Sequence, residues 1–209
     1  MGIKERRDRE KQLRKREIMD AAKLLFFEQG FAATSMNQIA QKLELSKGTL
    51  YLYFKNKEEL YISLLVEGMA LLNQAFESAV EDLESGEEKL RAIGWAYYQY
   101  SQEYPQYFHI NFQFQQGEIT RKISDELYRE CFELGFTSLG FLAHAIEQGK
   151  AAGQIHAEDP MNTAVVLWAS LTGIIFLNHG RDHRKFMPAP LDRLIKESIE
   201  ISIKGLKLK

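Results

Sequence analysis

The side chains of this chain that could do covalent or metal chemistry stand apart from one another. Its five histidines, His109, His144, His156, His179 and His183, are dispersed, and no Ser-His-Asp or phosphate-loop pattern accompanies them. His179 and His183 have metal-ligand spacing, but Gly180 falls between them and is expected to end the helix that would align them. The single cysteine, Cys131, allows no intrachain disulfide, suits a reducing cytoplasm and reads as a small core residue. No catalytic residue, metal or cofactor is therefore expected, and an all-α enzyme is the rival reading.

A different chemistry is concentrated between Ser46 and Lys57, in SKGTLYLYFKNK. Leu50 and Phe54 are four apart and can face inward together. Lys47, Gly48, Thr49, Tyr51, Leu52 and Tyr53 are then left around the rest of a short helix. Gly48 near a helix N-terminus lets backbone N–H groups approach a phosphate, and the helix dipole favours that anion. Thr49 and the tyrosine hydroxyls can donate to phosphates or reach base edges, and Leu52 suits a thymine methyl. Lys57 can close the grip on the backbone. The bland alternative for Tyr51 and Tyr53 is that they cap the core.

Such a helix needs support, because isolated helices below about 12 residues are marginal in water. The surrounding chain supplies it. A helix from Arg9 to Gln29 has its apolar stripe at Ile18, Ala21, Ala22, Leu25 and Phe26 and ends at Gly30. Ser35 and Gln38 form a capping box for a second helix with Ile39, Ala40 and Leu43 inward. Glu44-Leu45 is a turn, Ser46 caps the reading helix, and Asn56 caps a long helix to about Leu83. Helices are expected at 87–103, 105–116, 118–150 (interrupted near Ser124), 160–179 and from Leu191 onward, with a Pro-rich link at 186–190. The fold class is all-α: a three-helix, homeodomain-like helix-turn-helix domain (1–58) joined by a long helix to an all-helical domain (59–209). Near Lys57 lies a boundary of function rather than of packing.

Charge divides the same way. The whole chain carries −2, but residues 1–58 sum to +5 and residues 59–209 to −7. Eight cations lie between Lys4 and Arg16 against Glu5, Asp8 and Glu10. That basic end suits nucleic acid as an arm that extends the contact into a minor groove, or simply a solvated, frayed terminus. It lacks the apolar h-region of a secretory signal and the Trp/Phe/Leu face of a membrane-surface helix. The most apolar run, Thr163 to Leu177, spans 15 residues, short of the roughly 20 that cross a bilayer, and is expected to be a buried helix. A soluble, cytoplasmic protein follows.

From Gly30 to Leu60 the sequence GFAATSMNQIAQKLELSKGTLYLYFKNKEEL closely resembles the DNA-binding segment of the TetR family of transcriptional regulators. The Gly-aromatic-x-x-Thr-Ser opening, Ile-Ala, Ser-Lys-Gly-Thr-Leu-Tyr and Tyr-Phe-Lys-x-Lys all stand at the family's spacing. Leu45 and Tyr53 depart from it, Tyr53 where histidine is common. The resemblance implies DNA contacts from Ser35, Asn37, Lys47, Gly48, Thr49, Tyr51, Tyr53 and Lys57. It also implies a homodimer on a palindromic operator, mostly as a repressor, released by a small effector through the long helix.

Nine aromatics lie between Trp95 and Phe114, and as a set they suit an apolar or aromatic effector, although singly each reads more readily as core. Trp95, Tyr98, Tyr107, Phe108, Phe112, Phe132, Phe136, Trp168 and Phe176 are the candidate lining. Ala169, Ser170 and Gly173, with Leu194, Ile195 and Ile199 on the final helix, are the candidate dimer interface. An all-helical regulator without a small-molecule effector stays open beside this reading.

Overall fold

The computed structural model describes residues 2–115, 117–179 and 188–207, which hold α-helices, one 3₁₀ turn and no strand. The chain forms two compact units, one of Met1–Gly68 with Gln106–Cys131 and the other of Met69–Pro105 with Phe132–Lys209. The division of packing thus falls inside a helix, beyond the functional boundary expected near Lys57.

In the first unit, α1 (Ile3–Ala33), α2 (Met36–Lys42), α3 (Lys47–Tyr51) and the start of α4 (Lys57–Val80) enclose one core. Ile18, Ala22, Phe26, Ile39, Leu50, Phe54, Leu60 and Leu64 are all buried in it. Its aromatic corner is Tyr61, whose ring meets Phe26 at 4.9 Å and Phe31 at 4.7 Å; burial pushes its phenol up to about 12. Gly30 has φ +83, a conformation that favours glycine, and there α1 stops being one straight helix before a last turn. The Glu44 turn is the one place where a non-glycine described residue takes positive φ (54°). The capping box is present as expected: Gln38 N–H donates to Ser35 Oγ, and Gln38 Oε1 accepts from Ser35 N–H at 2.8 Å. The unit is completed by α6 (Pro105–Gln115), the 3₁₀ turn Thr120–Lys122 and the start of α7 (Asp125–Ala151). On α6, Tyr107 is a core residue: it packs onto Gly68 and meets Phe27 edge-on at 5.3 Å.

The sequence expectations shift at three places here. Helix α1 begins at Ile3 rather than Arg9, so the basic stretch is helical. Helix α3 has 5 residues, shorter than the expected two turns, and α4 ends at Val80.

In the second unit, α9 (Leu191–Leu206) packs on both α5 (Gly86–Glu103) and α8 (Pro160–His179). Gly94 lets α5 approach Ile199 of α9, and Gly86 sets the start of α5 directly on the backbone of Ala145 and Gly149 in α7. Ser138 donates to Asn73 at 2.6 Å, joining α7 to the second half of α4. Arg91 on α5 bridges to Glu200 of α9 at 2.6 Å and to Glu87 at 2.6 Å. Ile195 is fully buried and Ile199 nearly so within this packing. They help hold α9 to its own chain, and both are among the residues expected at a dimer surface. Leu194 is half-buried.

The apolar run is also corrected. As α8 it is 20 residues long, and by length and composition alone it could cross a membrane. Only one seam is buried, Ala164, Leu171 and Ile175, with Tyr97 hydrogen-bonding Thr172 at 2.8 Å beside it. Val165, Val166, Ala169, Ser170, Gly173, Phe176 and Leu177 are exposed. The periodicity of a uniformly apolar helix cannot say which side meets its own chain.

Candidate nucleic-acid interface

The reading helix is anchored from beneath. Leu50 is fully buried and Phe54 nearly so, and Ser46 Oγ accepts the Thr49 N–H at 3.0 Å as the N-cap. The Ser46 and Thr49 hydroxyls are also hydrogen-bonded to each other at 2.8 Å, which orients Thr49. Lys47, Gly48, Tyr51 and Leu52 are exposed, Leu52 at 77%, while Thr49 and Tyr53 are half-buried. The Lys47 ammonium lies 5.8 Å from the Tyr51 ring centre, so cation and phenol form one cluster. A Cβ added at Gly48 would meet only Ser46 Oγ, at 3.7 Å. Nothing inside the protein demands glycine there. Ser35 and Asn37, at the start of α2, are exposed as well.

Lys57 has a structural task that its spacing did not reveal. Its ammonium donates to the carbonyls of Phe31 at 2.8 Å and Thr34 at 2.9 Å, and sits 4.1 Å from the centre of the Phe31 ring. It thereby satisfies carbonyls left open where α1 ends. Thr34, buried beside it, donates to the Gly30 carbonyl at 2.8 Å.

The long helix behind this corner is tied down by groups that sequence reasoning missed. Asn56 accepts from the Glu59 N–H at 2.6 Å as the expected cap, and its amide donates to the Lys122 carbonyl at 2.7 Å. Lys122 in turn bridges to Glu58 at 2.9 Å. Burial would raise the Glu58 carboxyl, but Lys122, with a smaller contribution from Lys57, holds it below the ordinary range. Residues 66 and 64 positions apart leave no local sequence signal.

A short capped helix, crossed by a second and presenting cations, hydroxyls and a bare glycine over a hydrophobic base, is a helix-turn-helix. Residues 18–64 match the model of bacterial regulatory proteins of the tetR family, a span that covers α1's buried half through the start of α4. The chain belongs to the TetR family. Over 192 residues this TetR-family regulator is 29% identical to YhgD, an uncharacterized HTH-type transcriptional regulator of Bacillus subtilis, covering 86% of this chain and 88% of that one. It is 35% identical over 77 residues to the fatty acid metabolism regulator protein of the same organism, covering 37% and 40% of the two chains. In fold it resembles the crystal structure of the B. subtilis transcriptional regulator FadR in complex with stearoyl-CoA, with a TM-score of 0.68 at 24% identity, over 91% of this chain and 98% of that one. The protein is an all-α transcriptional regulator with a DNA-binding helix-turn-helix.

The remaining expected residues are distributed between the units. Tyr107, Phe108 and Phe112 belong to the first; Trp95, Tyr98, Phe132, Phe136, Trp168 and Phe176 belong to the second. Trp95 and Tyr98 meet at 5.0 Å, and Phe132 and Phe136 are both more than half exposed. On α6, the Gln113 amide lies 3.1 Å from His109, and its Oε1 is buried with no hydrogen-bond partner among the described residues. Of the expected His179/His183 pair, His183 lies outside the described residues.

Proposed function

We propose that the chain is a repressor that binds a palindromic operator as a homodimer and is released by a small apolar or aromatic effector. It acts on DNA in the cytoplasm and is not an enzyme. The observation that carries the DNA half of this reading is α3 itself. Lys47, Thr49, Tyr51 and Tyr53 surround a glycine that the fold does not require. In this reading Ser35, Asn37, Lys47, Gly48, Thr49, Tyr51 and Tyr53 contact the half-site, and Lys57 shapes the corner that carries them.

Two-fold pairing is supported by α8. Ala169, Ser170 and Gly173 leave a shallow, open surface, where a Cβ at Gly173 would meet nothing within 4 Å. Val166 and Phe176 flank it, exposed by 62% and 42%. A second copy of the same face buries this surface and brings two reading helices to one duplex, as the length of an operator requires. The effector reading is supported within the first unit by Tyr107, Phe108 and Phe112 on α6, with the buried Gln113 Oε1, which has no hydrogen-bond partner among the described residues, as a polar anchor. The acyl-CoA in the FadR structure makes a long-chain acyl ester the first effector to test.

The deciding experiment uses Gly48→Ala. Replacing a helical glycine with alanine should leave the melting temperature equal or raise it, since alanine costs about 0.5–1 kcal/mol less in a helix. Binding to DNA from upstream of the gene, followed by fluorescence anisotropy, should weaken at least tenfold. Undiminished binding by the variant, or equal affinity of the unaltered chain for any duplex of that length, would sink the reading.

A further inference from the structure

The basic end of α1 is not merely charged; its cations are in phase with the core. Lys4, Arg7, Lys11 and Arg14 recur at steps of three and four residues, and the series continues into the buried Ile18 and Ala22. The side of α1 that packs against the helix-turn-helix in its second half is therefore cationic in its first half. The structure shows the result as an open cleft of about 900 Å³ lined by these four cations, Asp8, Glu10 and, opposite them, Tyr53 at the end of the reading helix.

The charges in that cleft are unevenly matched. Glu10 is bridged to Arg6 at 3.0 Å, and Arg14 to Glu17 at 2.7 Å. Lys4, Arg7 and Lys11 have no ion pair among the described residues, which leaves three cations facing Asp8 alone. They are exposed, on a helix that extends about 15 Å from Lys4 to Arg14 at 1.5 Å per residue. At 3.4 Å per base pair that is the length of four to five base pairs.

We propose that this stripe is a second DNA surface. In it Lys4, Arg7 and Lys11 run along the phosphates of the duplex flanking each half-site, with Tyr53 marking where it joins the reading helix. The surface rests on the DNA-binding reading above and extends it from the half-site to the flank. It supplies affinity without base selection, because phosphate contacts carry no sequence information of their own. A membrane is the weaker partner for the same stripe, which has no Trp, Phe or Leu among the residues lining it.

The test compares two double substitutions of equal charge in the full chain. R7Q/K11Q removes cations from the cleft side; R9Q/R16Q removes them from the other side of the same helix. Glutamine keeps helix propensity, and unchanged far-UV circular dichroism and melting temperature establish that both variants fold. Affinity for a preferred operator with long flanks is measured across salt concentrations. Each lost phosphate contact lowers the slope of log K against log salt by about 0.9, and two cations removed from each of two protomers are four contacts, so R7Q/K11Q should lose roughly 3 to 4 and R9Q/R16Q almost none. On a duplex trimmed to the half-sites, R7Q/K11Q and the unaltered chain should converge. Equal slopes for the two variants, or a deficit that persists on the trimmed duplex, would overturn the flank surface. So would retention of the slope together with loss of binding to phosphatidylglycerol vesicles, which would assign the stripe to lipid. Failure of the unaltered chain to prefer any duplex is a separate outcome, and it overturns the regulator reading itself.

Discussion

Lys57 shows how a residue can belong to a recognition motif and to the fold at once. Its ammonium closes on two carbonyls and an aromatic face, the kind of site where charge-assisted hydrogen bonds contribute about 1.5–3 kcal/mol. Lys57→Ala should therefore lower thermal stability by an amount in that range, read as a fall in melting temperature, as well as weaken DNA. An unchanged melting point would mean that the carbonyl contacts contribute nothing in solution. The sequence motif made Lys57 visible and its spacing assigned it to DNA. What could not be read was the partner, because Phe31 and Thr34 offer main-chain carbonyls, which no residue type advertises. Thr49 is the converse case: its capping by Ser46 follows from local chemistry three residues apart, and it is where the sequence put it.

At the scale of elements, local rules did well at helix starts and poorly at surfaces. Ser35, Ser46, Asn56 and Asp159 cap helices by side-chain bonds that lie within three residues. Which side of α8 or α9 faces its own chain depends on contacts far away in sequence, so the burial of Ile195 and Ile199 against α5 and α8 is not legible locally. Close approaches were equally hidden. A Cβ at Gly86 would fall on the backbone of Ala145 and Gly149, whereas one at Gly149 would meet mainly the tip of the Ile155 side chain. Backbone cannot yield as a side chain can. Gly86→Ala should cost several kcal/mol, in the range of overpacked cores, and Gly149→Ala distinctly less. Urea denaturation of the two variants gives the comparison, and the reverse order would refute the packing described for α5 on α7.

For the whole molecule, the open side of α8 is the feature with the largest expected effect. Exposed aliphatic and aromatic side chains over small residues suit a self-complementary contact, which a single charge should break. Val166→Glu is expected to leave a folded monomer by analytical ultracentrifugation, with operator affinity reduced by at least a hundredfold because two linked readers become one. A dimer that survives this change would move the pairing surface elsewhere. Little of this was legible beforehand: the residue types of α8 told of its hydrophobicity, and only the packed chain told of its direction.

The carbonyl clamp of Lys57, with Asn56 capping α4 next to it, joins the end of α1, the start of α2 and the start of α4 into one corner. A reading head fixed in this way has little slack of its own. Two such heads on one dimer would act as a calliper, sensitive to the separation and angle of the half-sites more than to small changes within either. Inserting one base pair at the centre of the operator turns one half-site by roughly 34° about the duplex axis, at about 10.5 base pairs per turn. Stiff heads cannot follow that rotation, so gel-shift affinity for the lengthened operator should drop to the level of unrelated DNA.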